Sequence, residues 1–476
     1  MKNIHFKWPR HNSSLARLSR RGIGGMTLLM LAGFNANAAG AQTNQPAGLL
    51  PPPAEDPNRP AGITQNPTRT NYWSDAQGRS YVRAGTGTWT SYDESKASLY
   101  PLPDPLILKN GQPVKNAATW WNQRRPEILE DFRAEMYGRI PTNTPPITWK
   151  VTSTNTSAAG GLAIEKTVVG HIDNSRYPAA TPAIHLTLYT PSNTTGPVPM
   201  MVVVIPGPGG YGTRAGTNAP APEPPPGSPL YQLLAIGWGY ATMEVGPIQN
   251  DNSGGLTSGI IGLMSEGQTR KPDNWGALAA WSWGLSRTMD YFETDKSVDA
   301  KQIGVEGHSR YGKTALLAAA LDPRWAVVFP SCSGEGGAKP SRRNFGETVD
   351  NVATSHWFAP NFHKYAGHWN DLPVDSDELI ALVAPRPIFL NGGTGDQWAD
   401  PHGAFLAAVA AGPVYRLLGR KDLGSTEMPA PDAALTTGEI AFRYHAGGHT
   451  DAPDWPAFLQ FARRYLKTPG NPAGAH

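Results

Sequence analysis

The sequence predicts one large α/β domain whose sheet is mostly parallel after an antiparallel start. Residues 147–190 alternate apolar and polar side chains, which is typical of antiparallel strands. Residues 198–444 contain short, continuous apolar runs that alternate with helical patterns, as buried parallel strands do. A tight, Gly-rich turn at 307–312 joins one such strand to an Ala/Leu-rich helix. Together these patterns favour helices packed on a central sheet.

Composition excludes several functional classes. The chain has 476 residues, of which 39% are hydrophobic, so a sizeable core can form. The formal net charge is only +3 and no basic stripe occurs, so we expect no nucleic-acid partner. A single Cys excludes an intrachain disulfide framework. Fifteen Trp residues are many, and an exposed Trp offers an apolar face on which sugar rings stack.

Residues 1–41 have the pattern of a signal peptide. A basic start ends at Arg20-Arg21, an apolar run follows over 22–34, and the small-residue triplet Ala36-Asn37-Ala38 resembles a cleavage site. The apolar run is short for a membrane span. The arginine pair makes a twin-arginine export route a second option. We therefore expect a secreted or periplasmic protein with no membrane partner.

The remaining chain divides into three parts by composition. Residues 42–95 are rich in Pro, Gly, Thr, Asn and Ser and predict a flexible lead-in. The α/β domain is expected over 96–467, and 468–476 form a C-terminal tail. The expected strands lie at 106–108, 148–151, 163–168, 184–189, 198–205, 240–245, 303–306, 326–330, 386–391 and 440–444, and the expected helices at 119–133, 275–292, 313–321, 405–418 and 455–466. Residues 252–273 are Gly-rich and predict a long surface loop.

The turn at 307–313 allows two readings. A Ser on a sharp strand-to-helix turn is the nucleophile elbow of α/β-hydrolases, and Ser309 has this context. The usual pattern is G-x-S-x-G, whereas here the second Gly is delayed by one position to Gly312. The same stretch also matches the phosphate-binding pattern G-x-x-x-x-G-K-[ST], with Lys313 as the phosphate ligand. Export opposes this second reading, because nucleoside triphosphates are scarce outside the cytoplasm.

The rest of the chain supplies partners for an elbow serine. In α/β-hydrolases the order is Ser, then Asp or Glu, then His. His449 follows the last predicted strand in a Gly-rich loop, with His445 as a competitor on the strand itself. Asp396 follows the strand before it; Asp400 is second choice, and its other role would be a helix cap before Pro401. This order favours the elbow over the phosphate loop.

These motifs carry a family resemblance. Gly-His-Ser-Arg-Tyr-Gly-Lys at 307–313 resembles the elbow of the glucuronoyl esterases, carbohydrate esterase family 15, and the likeness extends to 333–337, 396–398 and 448–449 and covers about 100–467. It implies a three-layer α/β/α sandwich without a metal or other cofactor. It also implies hydrolysis of the ester between 4-O-methyl-glucuronic acid on xylan and lignin alcohols.

The resemblance also assigns roles to individual residues. Arg310 would stabilise the oxyanion, Lys313 would contact sugar hydroxyls, and Trp398 would lie against the uronate. Many family members carry a catalytic Glu where this chain has Cys332, whereas others place the acid where Asp396 stands. Glu335 is the reserve for the acid and otherwise a structural or substrate-contacting carboxylate.

Further contributions and alternatives follow from the residues. The loop 206–210 follows an early central strand and either donates N–H groups to the oxyanion or is a plain turn. The same triad also suits an acetyl-xylan or other carbohydrate deacetylase, and a glycan-binding protein with a degraded site is the alternative outside enzymes. We expect a monomer acting on glucuronoxylan or a lignin–carbohydrate ester.

Overall fold

The computed structural model describes residues 56, 58–68, 70–97, 101–194, 196–207 and 224–467. All of them belong to one compact unit that begins at Asp56. The predicted signal peptide at 1–41, the positions 208–210 of the predicted oxyanion loop and the tail at 468–476 lie outside the described residues.

A small antiparallel sheet comes first in the chain. Its strands are β1 (Thr64–Gln65), β2 (Tyr72–Ser74) and β3 (Ser80–Val82), paired in that order. This finding corrects the predicted flexible lead-in over 42–95, because its described part is folded. The segment is too polar for a core of its own and is held by contacts to the larger domain, including an edge-to-face pair between Tyr92 and Phe345 with ring centroids 5.9 Å apart.

The large sheet has ten strands within the described residues. They are β4 (Ile147–Ala158), β5 (Ala163–Ile172), β6 (Ala183–Pro191), β7 (Val198–Ile205), β8 (Gly239–Glu244), β9 (Val298–His308), β10 (Val327–Ser331), β11 (Ile388–Gly393), β12 (Ala434–Leu435) and β13 (Ile440–His445). Their order across the sheet is β12-β13-β11-β10-β9-β7-β8-β6-β5-β4. The strands from β8 to β13 in this order are parallel, and β4, β5, β6 and β12 pair antiparallel at the two ends.

Helices cover both faces of this sheet. They are α1 (Ala117–Thr119), α2 (Arg125–Asp131), α3 (Pro229–Leu234), α4 (Gly259–Ser265), α5 (Ala277–Phe292), α6 (Arg310–Leu321), α7 (Val349–Val352), α8 (Ser376–Ala381), α9 (Pro401–Leu417) and α10 (Trp455–Ala462), with π-helical turns at Trp120–Arg124 and Phe132–Met136. Alternate residues of β7 enter different cores. Val202 packs in the core that contains α5 and α6, whereas Met201 packs in the core that contains α10. The three-layer α/β/α architecture is thus confirmed.

Two local predictions are wrong. The predicted strand at 106–108 is only a single bridge between Ile107 and Pro113. The predicted surface loop at 252–273 contains α4, whose Ile260, Ile261 and Leu263 are buried. The many Gly residues in this stretch favoured a loop prediction, although the stretch also contains the apolar face of one short helix.

The parallel strands position the site. The carboxyl ends of β9, β11 and β13 lie along one edge, and the register pairs His308 with Ser331 and Gly393 with His445. The loops after these strands carry Ser309, Asp396 and His449. Ligands and reacting groups of open α/β sheets lie at this edge.

Candidate active site

Ser309 sits on a strained turn between β9 and α6. Its backbone has φ 60° and ψ −125°, which L-residues with a side chain rarely adopt. The Ser309 N–H donates to the Ser331 carbonyl at 2.8 Å, and the Lys313 N–H donates back to the Ser309 carbonyl at 3.1 Å. The neighbouring strand and the first helical turn therefore hold the serine in this conformation.

The glycines of this turn explain the delayed motif. A Cβ at Gly307 would lie 2.1 Å from the Tyr311 carbonyl oxygen, and one at Gly312 would lie 2.6 Å from the Ser331 carbonyl oxygen. The close approach to β10 therefore occurs at residue 312, and Tyr311 packs its ring against Trp281, with ring centroids 5.7 Å apart. The strand runs directly into the helix through Ser309. This leaves no phosphate-cradling loop, so the phosphate-binding alternative is excluded.

Asp396 and His449 form the expected pair. His449 Nδ1 lies 2.7 Å from Asp396 Oδ2. The Asp396 side chain is 2% exposed, whereas that of His449 is 38% exposed. A buried carboxylate against one ring nitrogen fixes the tautomer and leaves Nε2 for proton transfer.

The ring of His449 also packs on His308, with ring centroids 4.4 Å apart. Burial, together with the charges of His449 and His445, lowers the pKa of His308 to about 3. A neutral His308 therefore lies against His449. No hydrogen bond joins Ser309 Oγ to the His449 ring in the part of the chain that the structure describes. Such contacts often tighten only when substrate binds.

The rejected candidates have structural roles. His445 is fully buried, and its Nδ1 lies 2.8 Å from the Asp454 carboxylate. Asp400 is fully buried; it caps α9 by accepting from the Gly403 N–H at 2.9 Å and pairs with Arg343 at 2.7 Å. Asp400 is therefore the helix cap, which was its other predicted role.

Glu335 is a correction to the sequence analysis. Its side chain is completely buried, 3.1 Å from the Lys339 ammonium, and it accepts a hydrogen bond from the Ser341 hydroxyl. A buried carboxylate needs such partners, and complete burial leaves Glu335 no exposed surface for a substrate. The prediction of Glu335 as a substrate contact is wrong for this structure.

Cys332 lies beside the Asp396–His449 pair. Ligand atoms of Cys332, Asp396 and His449 all fall within 4.8 Å of one another. Burial first, and then the Asp396 charge, raise the pKa of the Cys332 thiol well above its usual range. These residue types also bind zinc, but a metal at this position would take His449 Nδ1 from Asp396. The arrangement fits a triad with a neutral thiol as neighbour.

Arg310 is held by a carboxylate that the sequence analysis missed. Asp251, in the loop after β8, accepts from Arg310 Nη1 at 2.8 Å, from His356 Nε2 at 2.9 Å and from Trp357 Nε1 at 2.8 Å. Burial opposes ionisation of Asp251, but these donors and the Arg310 charge lower its pKa well below the usual range. The guanidinium lies 5.0 Å from the Trp357 ring centroid. Asp251 lies in a Gly-flanked loop after a predicted strand, and this position is the one sequence feature that hinted at a functional carboxylate.

Lys313 is paired with a second missed carboxylate. Its ammonium donates to Glu347 Oε2 at 2.8 Å and to the Ser333 carbonyl at 2.7 Å, and the side chain is 3% exposed. The Glu347 N–H in turn donates to the Trp398 carbonyl at 2.8 Å. The half-buried Trp398 thus sits next to this ion pair, and the direct sugar contacts of Lys313 and Trp398 stay predictions. No sequence pattern pointed to Glu347.

Comparisons with known proteins show what this chain is similar to. A sequence model of the fungal glucuronyl esterases matches residues 270–419. A carbohydrate esterase of an unknown prokaryotic organism is 36% identical over 79% of this chain and 92% of its own length. A 4-O-methyl-glucuronoyl methylesterase of Phanerochaete chrysosporium is 29% identical over 67% of this chain, which spans 63% of that relative.

A solved structure extends the likeness to three dimensions. The glucuronoyl esterase of carbohydrate esterase family 15 from Teredinibacter turnerae superposes with a TM-score of 0.73 at 40% identity. The match covers 79% of this chain and 92% of that one.

Proposed function

Because the chain belongs to carbohydrate esterase family 15, the glucuronoyl esterases, we propose that it hydrolyses the ester between 4-O-methyl-D-glucuronic acid of glucuronoxylan and lignin alcohols. It is a carboxylic ester hydrolase. The observation that carries the proposal is the 2.7 Å contact between His449 Nδ1 and Asp396 Oδ2, on loops at the same sheet edge as Ser309.

The triad forms the acyl-enzyme in two steps, addition to the ester carbonyl and collapse of the tetrahedral intermediate. His449 Nε2 takes the Ser309 hydroxyl proton while Oγ attacks the ester carbonyl carbon. The carbonyl π electrons move to the oxygen, and Asp396 stabilises the resulting imidazolium. When the tetrahedral intermediate collapses, the bond to the alcohol breaks and His449 gives its proton to the leaving oxygen. Water then attacks the acyl-enzyme by the same route and releases the uronic acid.

Positive charge stabilises the oxyanion. Arg310 is the first residue of α6, so the guanidinium and the N–H groups of the helix start belong to the same turn. The Arg310 side chain is 42% exposed while Asp251 fixes its Nη1. A fixed, partly exposed guanidinium beside the nucleophile also suits an acidic sugar.

The location, the oligomeric state and the cofactor requirement of the protein are inferred from its sequence. We infer a secreted or periplasmic monomer without a cofactor, exported by the segment 1–41. Among the described helices, none has both the length and the apolar character needed to cross a membrane.

A paired assay tests the function. The mature protein is given a benzyl ester of glucuronic acid and, separately, an acetylated xylo-oligosaccharide. We expect a strong preference for the uronate ester and loss of turnover by about 10⁴-fold or more in Ser309→Ala. Preference for acetyl release would transfer the function to deacetylation on the same triad. Turnover of neither substrate by the folded protein would favour a glycan-binding protein.

A further inference from the structure

The small N-terminal sheet lines an open cavity to which none of the triad residues contributes. The cavity has a volume of about 1050 Å³, and its walls come from residues 56–96. Trp89 and Tyr92, both half-buried, offer aromatic surface in it. Trp89 is fixed from two sides: its Nε1 donates to Asp56 at 3.0 Å, and its ring meets Trp73 edge to face at 4.8 Å. The aromatic surface is therefore built into the sheet.

The cavity is cationic. Its lining has a formal charge of +2, from the four cationic side chains of Arg59, Arg79, Arg83 and Lys96 and the two anionic side chains of Asp56 and Asp93. The side chains of Arg83 and Lys96 are 50% and 76% exposed, and each pairs with a carboxylate of the lining, Asp56 at 2.9 Å and Asp93 at 3.4 Å. Exposed ion pairs of this kind are weak, so both cations can also meet a carboxylate of a ligand. Guanidinium groups recognise carboxylates by paired, charge-assisted hydrogen bonds.

Two contacts join this cavity to the active-site loops. Arg79 Nη1 donates to Gln397 Oε1 at 3.5 Å, and Gln397 directly follows Asp396. The Gly346 N–H donates to the Ser91 carbonyl at 2.9 Å, and Gly346 directly precedes Glu347. The lining of the cavity therefore contacts the residue that follows the proposed catalytic acid and the residue that precedes Glu347.

We propose that this cavity is a subsite for an acidic glycan, which holds a further uronic-acid-substituted stretch of the same xylan chain. Trp89 stacks on a sugar ring, and Arg83 and Lys96 face the carboxylates. The proposal rests on the proposed function, since it deepens the substrate of that site.

Kinetics on two substrates test the subsite. The substrates are benzyl glucuronate and a uronate-ester xylo-oligosaccharide that carries a second glucuronic acid. In Trp89→Ala and in Lys96→Glu, we expect the ratio of kcat/KM for the oligosaccharide to that for the small ester to fall about five- to tenfold, through KM. Lys96→Glu also covers the case in which Trp89→Ala fails to fold. Trp121→Ala, which changes an exposed Trp outside the cavity, is the matched control and keeps the ratio.

Binding without turnover separates this proposal from the proposed function. Calorimetry in the Ser309→Ala background uses an acidic xylo-oligosaccharide without an ester. Weaker binding after adding Trp89→Ala or Lys96→Glu supports the subsite even if the wild-type protein hydrolyses neither ester. An unchanged Kd in both, an unchanged substrate ratio, or equal affinity for a neutral xylo-oligosaccharide overturns it.

Discussion

At the residue scale, the triad acid is the assignment that the geometry makes sharpest. Asp396 contacts His449, whereas Glu335 is buried against Lys339. We expect Asp396→Asn to lower kcat by about 10³- to 10⁴-fold, because the amide stabilises the wrong tautomer and not the imidazolium. Glu335→Gln, the matched amide change, should lower the melting temperature and leave most of kcat. Kinetics and thermal melts of both variants test this assignment. A larger loss of kcat in Glu335→Gln than in Asp396→Asn would identify Glu335 as the triad acid.

Asp251 gives a second expectation at this scale. Without its carboxylate the Arg310 guanidinium loses a fixed partner and, in the proposed mechanism, its orientation toward the oxyanion. We expect Asp251→Asn to lower kcat about tenfold or more, with a smaller change in KM. The test is a double-mutant cycle with Arg310→Ala. If Asp251 acts through Arg310, the second substitution adds little, and fully additive losses would refute that role.

The same residues show how far sequence could reach. Ser309, Asp396 and His449 were predictable because each follows a strand in the order that α/β-hydrolases require. Asp251 and Glu347 were not, because their roles depend on partners 59 and 34 residues away, as the Arg310–Asp251 and Lys313–Glu347 bonds show. Glu335 was misassigned because the sequence places Lys339 only four residues away but does not show that the two side chains are buried as a pair.

At the scale of elements, the elbow turn depends on two close approaches. Gly307→Ala places a Cβ 2.1 Å from the Tyr311 carbonyl, so the turn between β9 and α6 has to shift. We expect the free energy of unfolding to fall by about 1–3 kcal/mol and turnover to fall with it. Gly196→Ala is the control, since no atom lies within 4 Å of its added Cβ. Thermal melts and kcat of the two variants provide the comparison.

Element prediction succeeded where burial on both faces leaves a continuous apolar run. The strands β7, β9 and β13 are such cases, and Val198–Ile205 matches its predicted bounds. It failed for the N-terminal sheet, whose order comes from contacts to residues about 250 positions further along the chain, such as Tyr92 with Phe345. Polar composition alone cannot reveal a partner of that kind.

At the scale of the whole molecule, buried carboxyls set the pH dependence of stability. Glu306 on β9 is buried, and its Oε1 lacks a hydrogen-bond partner among the described residues. Burial, and next the Asp451 charge, raise its pKa well above the usual range. The folded state therefore holds a proton that the unfolded state loses above about pH 4.5. Stability from this group is full below that pH and declines as pH rises toward the folded pKa.

Glu306→Gln tests this sign. The amide is nearly isosteric and cannot ionise, so we expect the variant's melting temperature to fall less than that of the wild type between pH 5 and pH 9. The substitution removes a decline of about 1.4 kcal/mol per pH unit in the free energy of unfolding. The exposed Glu427→Gln should leave the wild-type profile intact. Parallel profiles for Glu306→Gln and wild type would show that Glu306 is ionised in the fold.

The backbone conformation at Ser309 bears on the choice between an esterase and a glycan-binding protein. At φ 60° and ψ −125° a glycine would fit with less strain than any residue carrying a Cβ. Folding stability alone would therefore favour glycine over serine at this position. A glycan-binding protein has no use for this hydroxyl whereas an esterase requires it, so a serine at this strained position favours the esterase.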